Sequence, residues 1–134
     1  MTAASSRTAR GSLAIYDDFY AGLRQLLDDL RRRFGRFVVY DLHTYNHRRA
    51  RPQAQPADPR GNPDVNVGTG SMDRERWGAV VDRFIGDLGT HAFLGGRLDV
   101  RENVRLRGGH LSRWVHETFP DSGCAAGLLP RRLG

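Results

Sequence analysis

The feature that most limits how this chain can fold is a long amphipathic helix that runs directly into an apolar strand. Apolar side chains recur at spacings of three and four from Tyr16 to Phe34, which predicts a helix with one apolar face. Gly35 predicts the end of that helix. The run from Phe37 to Leu42 then predicts a strand that is buried on both faces, as in a parallel sheet. A helix, a short turn and a buried strand make half of an α/β unit.

The rest of the chain predicts more elements of the same kind. The segment from Arg48 to Asn62 is too irregular for a helix or strand and predicts a long loop. Residues 64–68 predict a short strand, and either Ser71 or Asp73 can cap a second helix. A short third helix is predicted to begin near residue 110. The apolar face of the second helix consists of Trp77, Val80, Val81, Phe84, Ile85 and Leu88.

Composition limits the class of protein. A chain of 134 residues with 39% hydrophobic and 27% charged residues suits one globular domain. No apolar run approaches the roughly 20 residues that span a bilayer, so no membrane partner is predicted. The single cysteine, Cys124, cannot form an intrachain disulfide, which favours a reducing compartment and a cytoplasmic location. With no cysteine motif around it, Cys124 is interpreted as a buried apolar residue and not as a nucleophile.

The basic charge has a simpler explanation than a nucleic-acid partner. The net charge is +6, and all 21 basic residues are arginine. Because lysine neutralises phosphate equally well, an all-arginine set points to a GC-rich coding bias. No recognisable nucleic-acid motif is present, and no nucleic-acid partner is predicted. The alternative hypothesis is a basic, Arg-rich nucleic-acid-binding module that uses the clusters at residues 31–33 and 48–51.

Asp41 and His43 form the first candidate site. Both lie at the carboxyl end of the predicted strand, where ligand sites gather in α/β sheets, and alternation places them on the same side. A histidine there can bind a divalent metal while the carboxylate orients its ring. The alternative is a structural histidine at a loop entrance. His47 follows four residues later, but the two histidines do not share a helical face, so the spacing does not establish a two-histidine site.

A second candidate site is the start of the third helix, at Gly108, Gly109 and His110. Free backbone N–H groups at such an end attract carboxylate or phosphate. Arg113 lies three residues beyond His110, so both side chains can approach one anion. Ordinary helix capping is the alternative. Further donors that could bind an anion include Asn46 and Arg49, for which a solvated loop is the alternative.

Four segments in this order resemble the N-formylglutamate amidohydrolase family. They are Asp41-Leu42-His43-Thr44-Tyr45-Asn46-His47-Arg48-Arg49, Asn62-Pro63-Asp64-Val65-Asn66-Val67-Gly68-Thr69-Gly70, Glu102-Asn103-Val104-Arg105, and Arg107-Gly108-Gly109-His110-Leu111-Ser112-Arg113-Trp114-Val115-His116. The resemblance implies an incomplete three-layer α/β sandwich with a mostly parallel central sheet, similar to the zinc carboxypeptidases. It also implies a zinc-dependent hydrolase of N-acyl amides on small acidic substrates.

The resemblance gives roles to individual residues. His43 matches a zinc ligand of the family, with Asp41 beside it, and Gly109, His110 and Arg113 match the glycine-pair segment. We expect that segment, with Asn46 and Arg49, to bind the substrate. The family also carries an earlier metal-binding histidine with an acidic partner, and a late glutamate expected to act as general base. This sequence has no histidine before Asp41 and no acidic residue after Cys124.

These departures predict a partial enzyme. We expect a disordered leader over residues 1–14. Its composition is also similar to that of a transit peptide, and a misplaced translation start would produce the same pattern. We expect a partial amidohydrolase domain over 15–125 and an aberrant tail over 126–134. A hydrolytic zinc site usually has three protein ligands, so a truncated or frameshifted and inactive fragment is the leading hypothesis. Assembly with another chain that supplies the missing ligands is the alternative, and the oligomeric state is left open.

Overall fold

The chain forms two compact units, residues 1–37 and residues 38–134. The computed structural model describes residues 3–44 and 58–132. The first unit is dominated by helix α1, Ala3–Phe34. Helix α1 contains the predicted helix but begins earlier than Tyr16. Residues 3–14, which were expected to be a disordered leader, are therefore helical. Gly35 ends the helix as predicted: its φ is 79°, and its N–H donates to the carbonyl of Arg31 at 2.8 Å.

The second unit is built on a four-stranded sheet. Its strands lie in the order β1-β6-β2-β5, and a separate two-stranded hairpin pairs β3 with β4. The strands are β1 Phe37–Leu42, β2 Val65–Gly68, β3 Ala92–Phe93, β4 Gly96–Arg97, β5 Val100–Glu102 and β6 Gly123–Pro130. The sheet is mostly parallel, with β2 parallel to β5 and antiparallel to β6. The mixed α/β class expected from the sequence is therefore confirmed, and the structure is consistent with an incomplete α/β sandwich.

Helix α2, Arg74–Thr90, covers one face of this sheet. Asp73 caps it, because its carboxylate accepts from the backbone N–H of Glu75 at 3.1 Å and of Arg76 at 3.3 Å. The predicted apolar face is confirmed at its centre, where Trp77 and Val81 are buried. Burying each such side chain contributes about 1.5–3 kcal/mol. The buried core cluster consists of Val65, Val67, Met72, Trp77, Val81, Cys124, Ala126 and Leu128.

Strand β1 corrects one expectation. The strand forms where predicted, but it is not buried on both faces, because Val38, Tyr40 and Leu42 are 41%, 43% and 70% exposed. The physical reason is its place at the edge of the four-stranded sheet, with β6 as its single neighbour among the described strands. A continuous apolar run cannot distinguish an edge strand from a central one. Tyr40 is partly covered by Phe84, whose ring stacks on it with centroids 4.9 Å apart.

Strand β6 lies between β1 and β2 and includes Ala126–Pro130, which fall within the segment expected to be an aberrant tail. Its first six residues are all buried. Glycine and alanine are poor strand formers, so their pattern predicted no strand. The register pairs Val67 with Leu128 and Gly68 with Gly127. The boundaries proposed for the domain stay predictions, and residues 126–130 provide backbone for the middle of the sheet.

Candidate active site

Asn66 organises the face of β2 that lies opposite α2. Its side chain is fully buried, and its carbonyl oxygen accepts from the backbone N–H of Val104 at 2.9 Å and of Arg105 at 2.8 Å. Its amide nitrogen donates to the carbonyl of Leu106 at 2.8 Å. One buried amide therefore holds three consecutive residues of the following loop against the strand. Two motif segments that are distant in sequence, residues 62–70 and 102–105, are joined in this way.

The loop beyond Leu106 passes very close to the end of β2. A Cβ placed on Gly68 would lie 2.6 Å from the backbone nitrogen of Gly108 and 2.9 Å from the carbonyl carbon of Arg107. A Cβ on Gly70 would lie 2.8 Å from the carbonyl oxygen of Arg107, which accepts the Gly70 N–H at 2.6 Å. Glycine is required at both positions because the obstructing atoms are mostly backbone atoms. The glycines of this motif thus allow two backbone segments to touch.

Thr69, between those glycines, ties β2 to β5. Its backbone N–H donates to the side-chain oxygen of Asn103 at 2.9 Å, and its hydroxyl hydrogen bonds to the carboxylate of Glu102. Asn103 has a φ of 56°, a conformation that asparagine tolerates better than most residues. These contacts fix the loop that leads to the third helix.

Helix α3, His110–Thr118, begins at this junction. Gly109 is its N-cap and provides no side-chain hydrogen bond, which leaves N–H groups of the first turn available to an anion. A cavity of about 180 Å³ opens here, lined by Gly70, Ser71, Arg107, Gly108 and Arg113. The two arginine side chains are exposed and make no ion pair or hydrogen bond within the described residues. Of the predicted residues, Arg113 lines this cavity, which we call the arginine cavity, whereas Gly109 and His110 are not part of its lining.

Ser112 contributes an unusual polar atom beside the arginine cavity. Its side chain is 1% exposed, and its hydroxyl has no hydrogen-bond partner among the residues that the structure describes. The hydroxyl lies 3.6 Å from the position that a Cβ on Gly108 would occupy. A buried hydroxyl without a partner is costly.

Asp41 and His43 lie together as their alternation predicted. The imidazole Nε2 of His43 is 3.0 Å from Oδ1 of Asp41, and the two side chains are 54% and 20% exposed. The carboxylate therefore orients the ring, and Nδ1 has no partner among the residues that the structure describes. Such a carboxylate–histidine arrangement is typical of a ligand whose ring is fixed by an outer hydrogen bond.

Strand β6 brings the two candidate sites into one region. The backbone N–H of His43 donates to the carbonyl of Leu128 at 2.8 Å. A Cβ placed on Gly127 would lie 3.6 Å from Cα of Gly108. Adjacent residues of β6 therefore contact the histidine segment and the glycine-pair segment. Asn46, Arg49 and His47 lie outside the described residues.

His116 is a further residue of the glycine-pair motif to which the sequence gave no role. Its Nε2 accepts the backbone N–H of Ala125 at 3.0 Å, and its Nδ1 lies 2.9 Å from the hydroxyl of Ser71. Because Nε2 accepts, the proton of the neutral ring sits on Nδ1 and is donated to Ser71. Burial lowers the pKa of His116, which favours this neutral form. His116 therefore links α3, the loop after β2 and strand β6.

Cys124 fits its interpretation as a buried apolar residue. It is 1% exposed and belongs to the core cluster beneath α2. Burial raises the pKa of its thiol to about 11, so it stays protonated at neutral pH. A thiol of this kind is a poor nucleophile.

A metal site was tested against the residues present. His43 with Asp41 fits one ligand position for zinc, which favours imidazole. Residues 3–44 and 58–132 contain no group of three or more His, Cys, Asp or Glu side chains that could hold a metal ion. The described donor set therefore fits zinc in one position and does not make a three-ligand site.

Comparison with known proteins agrees with the assembled motifs. The family model described as N-formylglutamate amidohydrolase matches residues 2–127. The chain therefore belongs to the N-formylglutamate amidohydrolase family. Searches among curated proteins and among solved structures gave no match. No helix among the described residues is long and apolar enough to cross a membrane.

Proposed function

We propose that this chain binds the carboxylate of a small N-acyl amino acid in the arginine cavity and presents the amide to the region of His43. The observation that carries the proposal is the pair of arginines without described partners at the start of α3, in a member of an amidohydrolase family. Arg113 grips the carboxylate, and Arg107 adds a second positive charge. The first N–H groups of α3 supply further donors.

His43 is proposed as one zinc ligand through Nδ1, with Asp41 fixing its ring. Zinc, when bound, polarises the amide carbonyl and activates water. Since a hydrolytic zinc site usually takes three protein ligands, the 134-residue chain by itself is expected to hold zinc weakly and to be inactive. The family assignment gives no support to the alternative, an Arg-rich nucleic-acid-binding module, whose test is salt-dependent binding to random DNA.

Calorimetric titration with N-formylglutamate tests the carboxylate site. Arg113→Gln is expected to weaken binding about tenfold, because one charge-assisted bidentate contact is lost. Arg83→Gln is the matched control, since Arg83 is exposed on α2 and, among the described residues, its side chain pairs with Asp87 alone, at 3.5 Å. Equal affinity in the two variants would exclude the arginine cavity as the carboxylate site.

Activity and metal content test the second half of the proposal. Protein purified without chelator is expected to contain less than one zinc per chain and to show no zinc-dependent deformylation of N-formylglutamate. Turnover that His43→Ala abolishes would overturn the inactive part of the proposal and confirm the role of His43. One tightly bound zinc per chain would show that further ligands are present.

A further inference from the structure

A second cavity, the hairpin cavity, lies at the start of β2, whereas the arginine cavity follows the end of that strand. Its volume is about 310 Å³, which lies within the range of small-molecule sites. Most of its lining is apolar. The apolar lining residues are Val65, Phe93, Leu94, Leu98 and Pro130. The cavity therefore suits the hydrocarbon part of a ligand and is unlike the polar arginine cavity.

The charged residues of the hairpin cavity leave one positive charge unbalanced. Arg97, Arg131 and Asp64 line it, two positive groups and one negative. Both oxygens of Asp64 are occupied, one by Arg131 and the other by the backbone N–H of Asp99 at 2.8 Å. The Arg97 side chain makes no ion pair or hydrogen bond with any residue that the structure describes. The unbalanced charge is therefore located on Arg97.

Arg131 supplies an independent observation. Its Nε is buried and has no hydrogen-bond partner within the described part of the chain. The Nη2 group of Arg131 donates to Asp64, and the Nε–H is a donor that the described residues do not satisfy. The Arg131 side chain lines the cavity and is 28% exposed, so a small shift of this side chain would let an acceptor in the cavity reach the Nε–H.

The hairpin at the rim holds an apolar side chain in a disfavoured backbone conformation. Leu94 and Gly95 form the two-residue turn between the paired residues Phe93 and Gly96, with φ values of 49° and 79°. Glycine and asparagine are preferred where both turn residues need positive φ. Leucine is strained there, and its side chain is 80% exposed. Strain of this kind is expected where a side chain has a binding role.

We propose that the hairpin cavity binds a small apolar monocarboxylate. The hydrocarbon part packs against Phe93, Leu94 and Leu98, and the carboxylate contacts Arg97 and the exposed part of the Arg131 side chain. One negative charge balances the one unpaired positive charge. This site is separate from the proposed amidohydrolase site, and neither proposal depends on the other.

The test is a titration of the full, ¹⁵N-labelled chain with 4-phenylbutyrate, with backbone amide shifts as the readout. Saturable shifts are expected at residues 93–98 and at Arg131. The neutral analogue 4-phenylbutanamide is expected to bind at least about tenfold more weakly, because it cannot form the charge-assisted contacts. Arg97→Gln is expected to reduce the affinity for the carboxylate by a similar factor, and Arg83→Gln is the matched control.

Three outcomes would overturn the proposal. They are shifts that do not saturate or that fall mainly on α1, equal binding of the acid and the amide, and unchanged affinity in Arg97→Gln. Because Arg97 is exposed, that variant is expected to keep the native spectrum outside the cavity. A Phe93→Ala variant provides a second check, since it removes apolar contact without changing charge. It is expected to weaken binding of the acid and the amide alike.

Discussion

Two histidines of this chain are placed in opposite ways. His43 lies at the exposed end of an edge strand and contacts Asp41. His116 lies partly buried between α3 and β6, and both of its ring nitrogens are engaged by Ser71 and the backbone of Ala125. The His43 ring has one nitrogen available to a ligand, whereas the His116 ring connects structural elements by hydrogen bonds. A histidine within a family motif can therefore serve binding or stability, and hydrogen bonds to both nitrogens distinguish the two roles.

The largest expected effect is the loss of stability in His116→Ala. That change leaves the buried N–H of Ala125 without an acceptor, so the free energy of unfolding is expected to fall by about 2–3 kcal/mol. Urea unfolding measures the change. His116→Gln, with both an acceptor and a donor, is expected to recover part of the loss. His91→Ala is the control, because His91 is exposed at the end of α2. A similar loss of stability in His116→Ala and His91→Ala would refute the stabilising role of the His116 hydrogen bonds.

The second effect is a pH dependence of stability. The pKa of His116 is lowered in the folded state by burial, while in the unfolded chain it is near 6.5. Its contribution is therefore fully present above about pH 6.5 and is lost as the pH falls toward the lowered folded value. Unfolding midpoints between pH 7.5 and 5 are expected to fall more steeply for the native chain than for His116→Gln. If the midpoints of the two proteins fall equally with pH, His116 is not the group responsible for this pH dependence.

A smaller effect is expected for Ser71→Ala. The change removes the acceptor for the Nδ1 proton of His116 and keeps the bond to Ala125, so about 1 kcal/mol of stability is lost. Ser122→Ala is the matched control. The urea midpoints of the Ser71→Ala and Ser122→Ala variants are compared at constant slope. Equal midpoints would mean that water replaces the Ser71 hydroxyl.

The smallest effect is expected for His43→Ala. Its contact with Asp41 is largely exposed, so the free energy of unfolding should change by less than about 0.5 kcal/mol. The same unfolding measurement checks this value. A loss as large as that of His116→Ala would show that His43 is also a structural histidine, the alternative that the sequence left open.

Much of the fold could be predicted because its signals are local. Spacing located the helical face that includes Trp77 and Val81, and Asp73 was one of the two residues expected to cap α2. Strand β6 was missed since Cys124, Ala126 and Gly127 carry no strand pattern of their own and owe their conformation to neighbours on both sides. The exposure of β1 was missed for a related reason, because sheet position is set by residues distant in sequence.

The sequence predicted which side chains carry the chemistry of the site, but not which residues hold them in place. Asp41 and His43 could be paired by alternation, and Arg113 could be placed beside the start of a helix. The roles of Asn66, Ser112 and His116 depend on atoms that only folding brings near, such as the N–H of Ala125. Their positions within ordered motifs were a signal that could have flagged them, although motif position alone does not reveal what each side chain contacts.

The central place of β6 has a consequence for the order of folding. Strand β1 is made early, yet its neighbour in the sheet is the last strand of the described chain. During synthesis β1 is complete about ninety residues before β6 is complete. The sheet between β1 and β2 therefore closes only when β6 has been made. Until then the strand edges that β6 will cover stay unpaired, and another chain can add a strand there.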